Sequence, residues 1–142
     1  MANSRHHQVL IVGGGTAGIT VAASLHRRGG LGIDLAIVEP SDVHYYQPAF
    51  TLVGGGAYGL EDTRRDEATL IPRGVTWLRT AVSAIDPDKN AVSLNSGGGL
   101  TYDYLVVCPG LGLNWEQVEG LKDALGRNGV CSNHCRRSWR GC

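Results

Sequence analysis

The sequence predicts an α/β fold, in which a parallel sheet carries an attached antiparallel three-stranded β-meander. Several short apolar runs are rich in β-branched residues and show no alternation of apolar and polar positions. This pattern is typical of strands buried on both faces. One of these runs is followed by a helical period, and three others are separated only by short polar turns. The 142 residues suffice for one domain of ordinary size.

The first elements form a strand–turn–helix–strand unit. A strand is predicted at 8–12, a glycine-rich turn at 13–18 and a second strand at 35–38. The helix between them shows one apolar face at i, i+3, i+4 and i+7 spacing, formed by Ile19, Ala22, Ala23 and His26. Two strands joined in this way are parallel, and the crossover between them is nearly always right-handed.

The second half of the chain supplies the remaining strands. The segment 41–73 lacks a sustained period and is predicted to be loops with at most one short helix. A third parallel strand is predicted at 75–78, and a strand at 104–108 is expected to return to the parallel sheet. Between them, three short runs separated by polar turns predict the meander: 82–85, 91–94 and 100–102.

Composition excludes several classes of protein. Thirteen basic residues balance thirteen acidic ones, so the formal net charge is zero. A protein that binds nucleic acid through its phosphates needs a basic face, and we therefore predict no nucleic-acid partner. No uncharged apolar stretch reaches the roughly 18 to 20 residues that a membrane span requires.

The four cysteines do not predict a disulfide scaffold or a metal site. They are few, and three of them crowd into the last twelve residues. Cys131, His134, Cys135 and Cys142 have the chemistry of zinc ligands, but their spacing fits no familiar zinc site, so we predict no metal. Cys108, at a predicted strand end, is expected to be a small buried core residue.

The turn after the first strand predicts a dinucleotide site. Gly13, Gly15 and Gly18 have GxGxxG spacing between a predicted strand and helix, where bare backbone N–H groups can approach a diphosphate. Glu39 lies 21 residues beyond Gly18, where its carboxylate can accept ribose hydroxyls and disfavour NADP. These residues alone do not distinguish FAD from NAD, and a glycine-rich turn without a ligand remains the alternative.

Further motifs carry a family resemblance. The segment 102–110 resembles the second flavin-contact signature of the flavoprotein disulfide reductases, although Pro109 replaces the usual threonine. Within that superfamily the sequence resembles sulfide:quinone oxidoreductases from about residue 9 to residue 133. Four stretches carry this closer resemblance: 37–48, which contains His-Tyr-Tyr-Gln-Pro, 51–56, 71–77 and 86–90.

The resemblance implies a Rossmann-type domain that binds FAD. Glu39 would hold the adenosine ribose, Gln47 would contact the cofactor, and Val82 would bind the adenine through its backbone. Gly110 would preserve the turn geometry of the second signature. The residues implied to surround the pyrophosphate are Gly13, Gly15, Thr16, Ala17 and Gly18. Without the family, Val82 is an ordinary strand residue, and His44, Tyr45 and Tyr46 could equally pack the loop.

The resemblance also implies a reaction. In sulfide:quinone oxidoreductases, sulfide attacks a protein disulfide, and the electrons pass through the flavin to a membrane quinone. The family's redox cysteine pair lies in later segments, so the catalytic residues stay unknown here and Cys131 is only a candidate accessory thiol. Two alternatives stay open: another FAD-dependent NAD(P)H:quinone or disulfide oxidoreductase, and a non-catalytic nucleotide-binding module.

The resemblance finally suggests how the chain is organised. We expect a partial FAD-binding domain at 1–130, followed by an aberrant Cys/Arg-rich tail at 131–142. The fold would then be an incomplete N-terminal fragment, inactive alone. Its expected location is cytoplasmic, or peripheral to a quinone-containing membrane, bacterial or mitochondrial inner, in the full-length enzyme.

Overall fold

The computed structural model describes residues 5–29 and 32–132. Within these ranges the eight strands are β1 (Arg5–Val12), β2 (Leu35–Val38), β3 (Val43–Tyr45), β4 (Arg64–Asp66), β5 (Thr76–Leu78), β6 (Val82–Asp86), β7 (Ala91–Leu94) and β8 (Gly99–Val107). The four α-helices of the described residues are α1 (Thr16–Gly29), α2 (Phe50–Gly54), α3 (Glu67–Leu70) and α4 (Leu121–Ala124). In the part of the chain that the structure describes, no helix has the length and apolar character needed to cross a bilayer.

Six strands form one mixed sheet in the order β5-β2-β1-β8-β7-β6. Strand β1 lies parallel to both β2 and β8, and β2 lies parallel to β5. Strand β7 pairs antiparallel with β6 and with β8. The predicted α/β fold, with its parallel sheet and its antiparallel meander, is therefore confirmed. Strands β3 and β4 form a separate two-stranded sheet.

The meander differs from the prediction at its last strand. The predicted strands at 100–102 and 104–108 are one strand, β8, which pairs with β7 at its start and with β1 along most of its length. Asp103, which looks like a break in the sequence, stays within this strand, and its carboxylate lies 3.3 Å from Nε2 of His6 on β1. One continuous strand thus joins the meander to the parallel part of the sheet.

The core lies on both faces of the central strands. Leu10 faces a cluster that also contains Tyr102, whereas Ile11 faces the cluster that packs against α1. All four residues of β2 are buried, which confirms the prediction from its continuous apolar run. Each large aliphatic side chain buried in this way contributes about 1.5 to 3 kcal/mol to stability.

Helix α1 packs on the sheet through a face one residue earlier than predicted. The residues of α1 that are buried or packed against the sheet are Gly18, Val21, Ala22 and Leu25. Ile19 and His26, two of the predicted positions, are only half-buried. Gly18 takes the first position of the face because its bare Cα approaches the strand closely, and hydrophobicity does not mark such a position.

The chain divides into two compact units. The first contains the described residues of 1–44 and 66–110, with the six-stranded sheet and α1. The second contains 45–65 and the described residues from 111 onward, and it consists of loops and short helices around the buried Ala49, Phe50 and Thr63. The prediction of a domain at 1–130 and a tail at 131–142 stays a prediction, and residues 133–142 lie outside the described residues.

Candidate dinucleotide-binding site

Two glycines of the turn after β1 are required by close backbone packing. The N–H of Gly13 donates to the Val38 carbonyl at 2.9 Å, and its φ is 99°. A Cβ atom at Gly13 would lie 2.1 Å from the carbonyl oxygen of Cys108, and one at Gly18 would lie 1.9 Å from the carbonyl oxygen of Gly13. Gly13 therefore lets β8 end directly against the turn, and Gly18 lets α1 begin against it.

Gly15 occupies open space at the start of α1. A Cβ atom there would have no heavy atom within 4 Å. Helix α1 begins at the next residue, Thr16, and its first backbone N–H groups have no partner within the helix. The 14-residue helix therefore directs the positive end of its dipole toward this turn, where the position at Gly15 is open. An anion such as a diphosphate fits this arrangement.

The Glu39 carboxylate lies beside the glycine turn. Its Oε2 accepts a hydrogen bond from the Gly14 N–H at 2.8 Å, and its Oε1 accepts one from the Ser41 N–H at 2.7 Å. The indole N–H of Trp77, on β5, donates to the Glu39 carbonyl at 3.0 Å. These bonds fix the carboxylate next to the turn, and each oxygen keeps a lone pair that can accept from a hydroxyl group.

A second carboxylate, Glu67, was not identified from the sequence. Glu67 begins α3 and is 1% exposed, and its Oε1 has no hydrogen-bond partner. A Cβ atom at Gly14 would lie 2.6 Å from this oxygen and 2.7 Å from Cγ of Glu39. Burial, reinforced by the neighbouring Glu39 charge, raises the pKa of Glu67 to about 7. Gly14, the middle of three consecutive glycines, is thus required as well.

His44 connects Glu67 to the start of α1. Its Nδ1 lies 3.5 Å from Oε2 of Glu67, and its Nε2 lies 3.4 Å from Oγ1 of Thr16. The His44 side chain is 10% exposed, so it does pack the loop, as the simpler interpretation expects. It also places an imidazole between a buried carboxyl group and a residue of the predicted pyrophosphate site.

The second signature segment meets the glycine turn. The Cys108 N–H donates to the Val12 carbonyl at 2.7 Å, and Pro109 Cα would be 3.3 Å from a Cβ at Gly13. Gly110 has φ of 77°, as expected of a glycine that preserves a turn. Cys108 itself is only half-buried, so the expectation of a buried core residue is wrong. Cys108 comes directly after the last residue of β8, where the sheet no longer covers its side chain.

The other predicted site residues lie in different places. Ala17 is exposed on the first turn of α1, and Val82 is half-buried on the edge strand β6, three strands from β1. Gln47 is exposed on a short 3₁₀ helix of the second unit, Gln47–Ala49. Cys131 is an exposed free cysteine, also of the second unit. The roles of these residues stay predictions.

Comparisons with known proteins agree with this geometry. A family model described as pyridine nucleotide-disulphide oxidoreductase matches residues 7–137. The chain is 47% identical to the mitochondrial sulfide:quinone oxidoreductase of Dictyostelium discoideum over 127 residues, which are 89% of this chain and 28% of the relative. It is 40% identical to that of Mus musculus, covering 91% of this chain and 28% of the relative.

A solved structure shows the same similarity. The sulfide:quinone oxidoreductase of Aquifex aeolicus superimposes with a TM-score of 0.77 at 26% identity, covering 96% of this chain and 31% of that one. The chain thus spans somewhat more than a quarter of the length of the curated relatives named above.

The glycine turn, the helix N-terminus and Glu39 define a Rossmann-type dinucleotide-binding fold. The chain belongs to the pyridine nucleotide-disulphide oxidoreductase family, a family of FAD-dependent flavoproteins. The resemblance to sulfide:quinone oxidoreductases that the sequence motifs predict is confirmed.

Proposed function

We propose that this chain binds FAD at the glycine turn and forms the FAD-binding part of a sulfide:quinone oxidoreductase. The observation that carries the proposal is the open position at Gly15, at the positive end of α1 and next to Gly14, whose N–H donates to the Glu39 carboxylate. The relatives' names supply the reactants: sulfide as electron donor and quinone as acceptor. Because the chain covers about 28% of these relatives, we assign it cofactor binding as its part of the reaction.

The residues of the site would act by positioning and by electrostatics. Gly15 leaves room for a diphosphate, and the first N–H groups of α1 would donate to its oxygens. Glu39 would accept from the adenosine ribose hydroxyls, and its charge would oppose a 2′-phosphate. Bound FAD would supply the capacity to accept two electrons and pass them on.

The same relatives support a proposal about location and partners. Two eukaryotic relatives are named as mitochondrial and another is bacterial. We propose that the full enzyme works peripherally at a quinone-containing membrane, either the mitochondrial inner membrane or a bacterial one, because a quinone is held there. A cytoplasmic chain that binds FAD without meeting quinone is the alternative.

FAD binding tests the proposal with a matched pair of glycine variants. Gly15→Ala adds a methyl group where a diphosphate would approach, whereas Gly112→Ala adds one at another open position, outside the turn. We expect the wild type and Gly112→Ala to bind FAD with equal affinity and Gly15→Ala to bind at least about tenfold more weakly, which is about 1.4 kcal/mol. Calorimetric titration measures this, and urea unfolding checks that both variants are folded.

Two outcomes would overturn the proposal. One is a wild-type chain that does not bind FAD, and the other is a Gly15→Ala variant that binds FAD as tightly as the wild type. Anaerobic addition of reductant then distinguishes the alternatives. Bleaching of the flavin by sulfide supports the sulfide:quinone assignment, and bleaching by NADH alone supports another flavin reductase. Bleaching by neither agrees with a chain whose part of the reaction is cofactor binding.

A further inference from the structure

The side chain of Glu67 is a buried acidic group. Its side chain is 2% exposed, and its Oε1 has neither a hydrogen-bond partner nor contact with solvent. An ionised carboxylate in such a place loses its hydration, and native proteins rarely leave one unpaired. The orphaned oxygen lies directly under Gly14, where a Cβ atom would approach it to 2.6 Å. The buried acid is therefore aimed at the glycine turn.

The groups around Glu67 come from several elements. From the residue after β2, Glu39 contributes a second carboxylate, and from β3, His44 contributes an imidazole at 3.5 Å. The backbone N–H of Glu67 donates to the Asp42 carbonyl, and the Asp42 carboxylate pairs with Arg79 at 3.2 Å. Among the described residues, Glu39 and His44 are thus the titratable groups that interact with the Glu67 side chain.

We propose that Glu67 is a positioning residue of the cofactor site and that its carboxyl group becomes fully protonated when the diphosphate of a dinucleotide binds. This inference rests on the proposed function, because it concerns the same site. An ionised Glu67 would add a negative charge under Gly14, beside Glu39 and the bound diphosphate. A protonated Glu67 removes that repulsion, and the proton comes from solvent. His44 then links the protonated group to Thr16 at the start of α1.

The structure supplies the expected pH range. Burial and the Glu39 charge raise the pKa of Glu67 to about 7, so the free protein holds this proton only part of the time near neutrality. A bound anion raises this pKa further, and linkage then requires that affinity fall as pH rises. If the pKa in the complex is at least one higher, affinity for FAD falls about five- to tenfold between pH 6 and pH 8.

Calorimetry of the full chain with FAD tests this coupling directly. Titrations at pH 7 in two buffers of different ionisation enthalpy count the protons taken up. We expect about half a proton per FAD for the wild type, because the carboxyl group starts about half protonated. Glu67→Gln keeps the shape and removes the charge, and we expect no proton uptake and equal affinity at pH 6 and pH 8. In His44→Gln the proton uptake should persist.

The outcomes separate this inference from the proposed function. A wild type that binds FAD without proton uptake and equally well at pH 6 and pH 8 would overturn the role of Glu67 alone. The role of Glu67 would also be overturned if His44→Gln lost the proton uptake on FAD binding while Glu67→Gln kept it. A wild type that binds no FAD at any pH would overturn the proposed function instead. The wild-type proton count keeps the test valid even if a variant does not fold.

Discussion

Replacing Glu67 by glutamine should change how stability depends on pH, even without a cofactor. The pKa of Glu67 is raised from 4.5 to about 7 by burial and by Glu39. A folded-state pKa above the unfolded value means that the folded protein holds the proton more tightly. The stability that the folded protein gains from this proton on Glu67 is therefore fully present below about pH 4.5 and is lost as pH rises through about 7.

The size of the effect follows from the same pKa difference. Each unit of pKa corresponds to about 1.4 kcal/mol, so wild-type stability should fall by about 3 kcal/mol relative to Glu67→Gln between pH 4 and pH 8. Because groups that do not interact with Glu67 titrate alike in both proteins, the difference between them isolates Glu67 together with its neighbours Glu39 and His44. Urea unfolding, followed by tryptophan fluorescence at several pH values, measures it.

An exposed glutamate provides the control. Glu119→Gln removes the same charge from a solvent-exposed position, and its stability difference from the wild type should stay constant between pH 4 and pH 8. If the difference between the wild type and Glu67→Gln were equally constant, Glu67 would not be a destabilised buried acid. The reasoning about the glycine turn and its two carboxylates would then be wrong.

Substitutions at three further positions test the local structure, each by its free energy of unfolding in urea. Gly18→Ala places a Cβ atom 1.9 Å from the Gly13 carbonyl oxygen and should cost about 2 to 3 kcal/mol; an unchanged unfolding midpoint would contradict the close packing. Trp77→Phe removes the hydrogen bond to the Glu39 carbonyl and should cost about 1 kcal/mol, and no loss would show that the bond adds nothing. Asn90→Ala, at φ of 47°, should cost about 1 kcal/mol, whereas Asn90→Gly should not.

The strands of the central sheet could be predicted from the sequence because their burial leaves a local pattern. The second half of β1, at 9–12, and all of β2 are covered on both faces, so every position in these two runs is apolar and the runs stand out. The joined strand β8 could not be predicted, because Asp103 interrupts its apolar pattern while pairing with His6 at the sheet surface. Which strand β8 pairs with is decided by the fold and not by its own residues.

The candidate site divides in the same way. Gly13, Gly18 and Glu39 could be predicted because the turn requires them at fixed spacing, and the structure shows the clashes and hydrogen bonds behind that spacing. Glu67 could not be predicted as a site residue, because it lies in a segment without hydrophobic periodicity and reaches the turn only through the tertiary fold. The middle of the three consecutive glycines, Gly14, was the signal available, since it marks a position where two carboxylates leave no room for a Cβ atom.

Displacement of bound FAD is the most direct test of the central claim that the turn at Gly15 and the Glu39 carboxylate hold the diphosphate and ribose of a flavin nucleotide. FAD bound to the full chain should be displaced by ADP, which carries both groups, and should not be displaced by riboflavin, which carries neither. Flavin fluorescence measures the release. Displacement by riboflavin without displacement by ADP, or no FAD binding at all, would contradict the account.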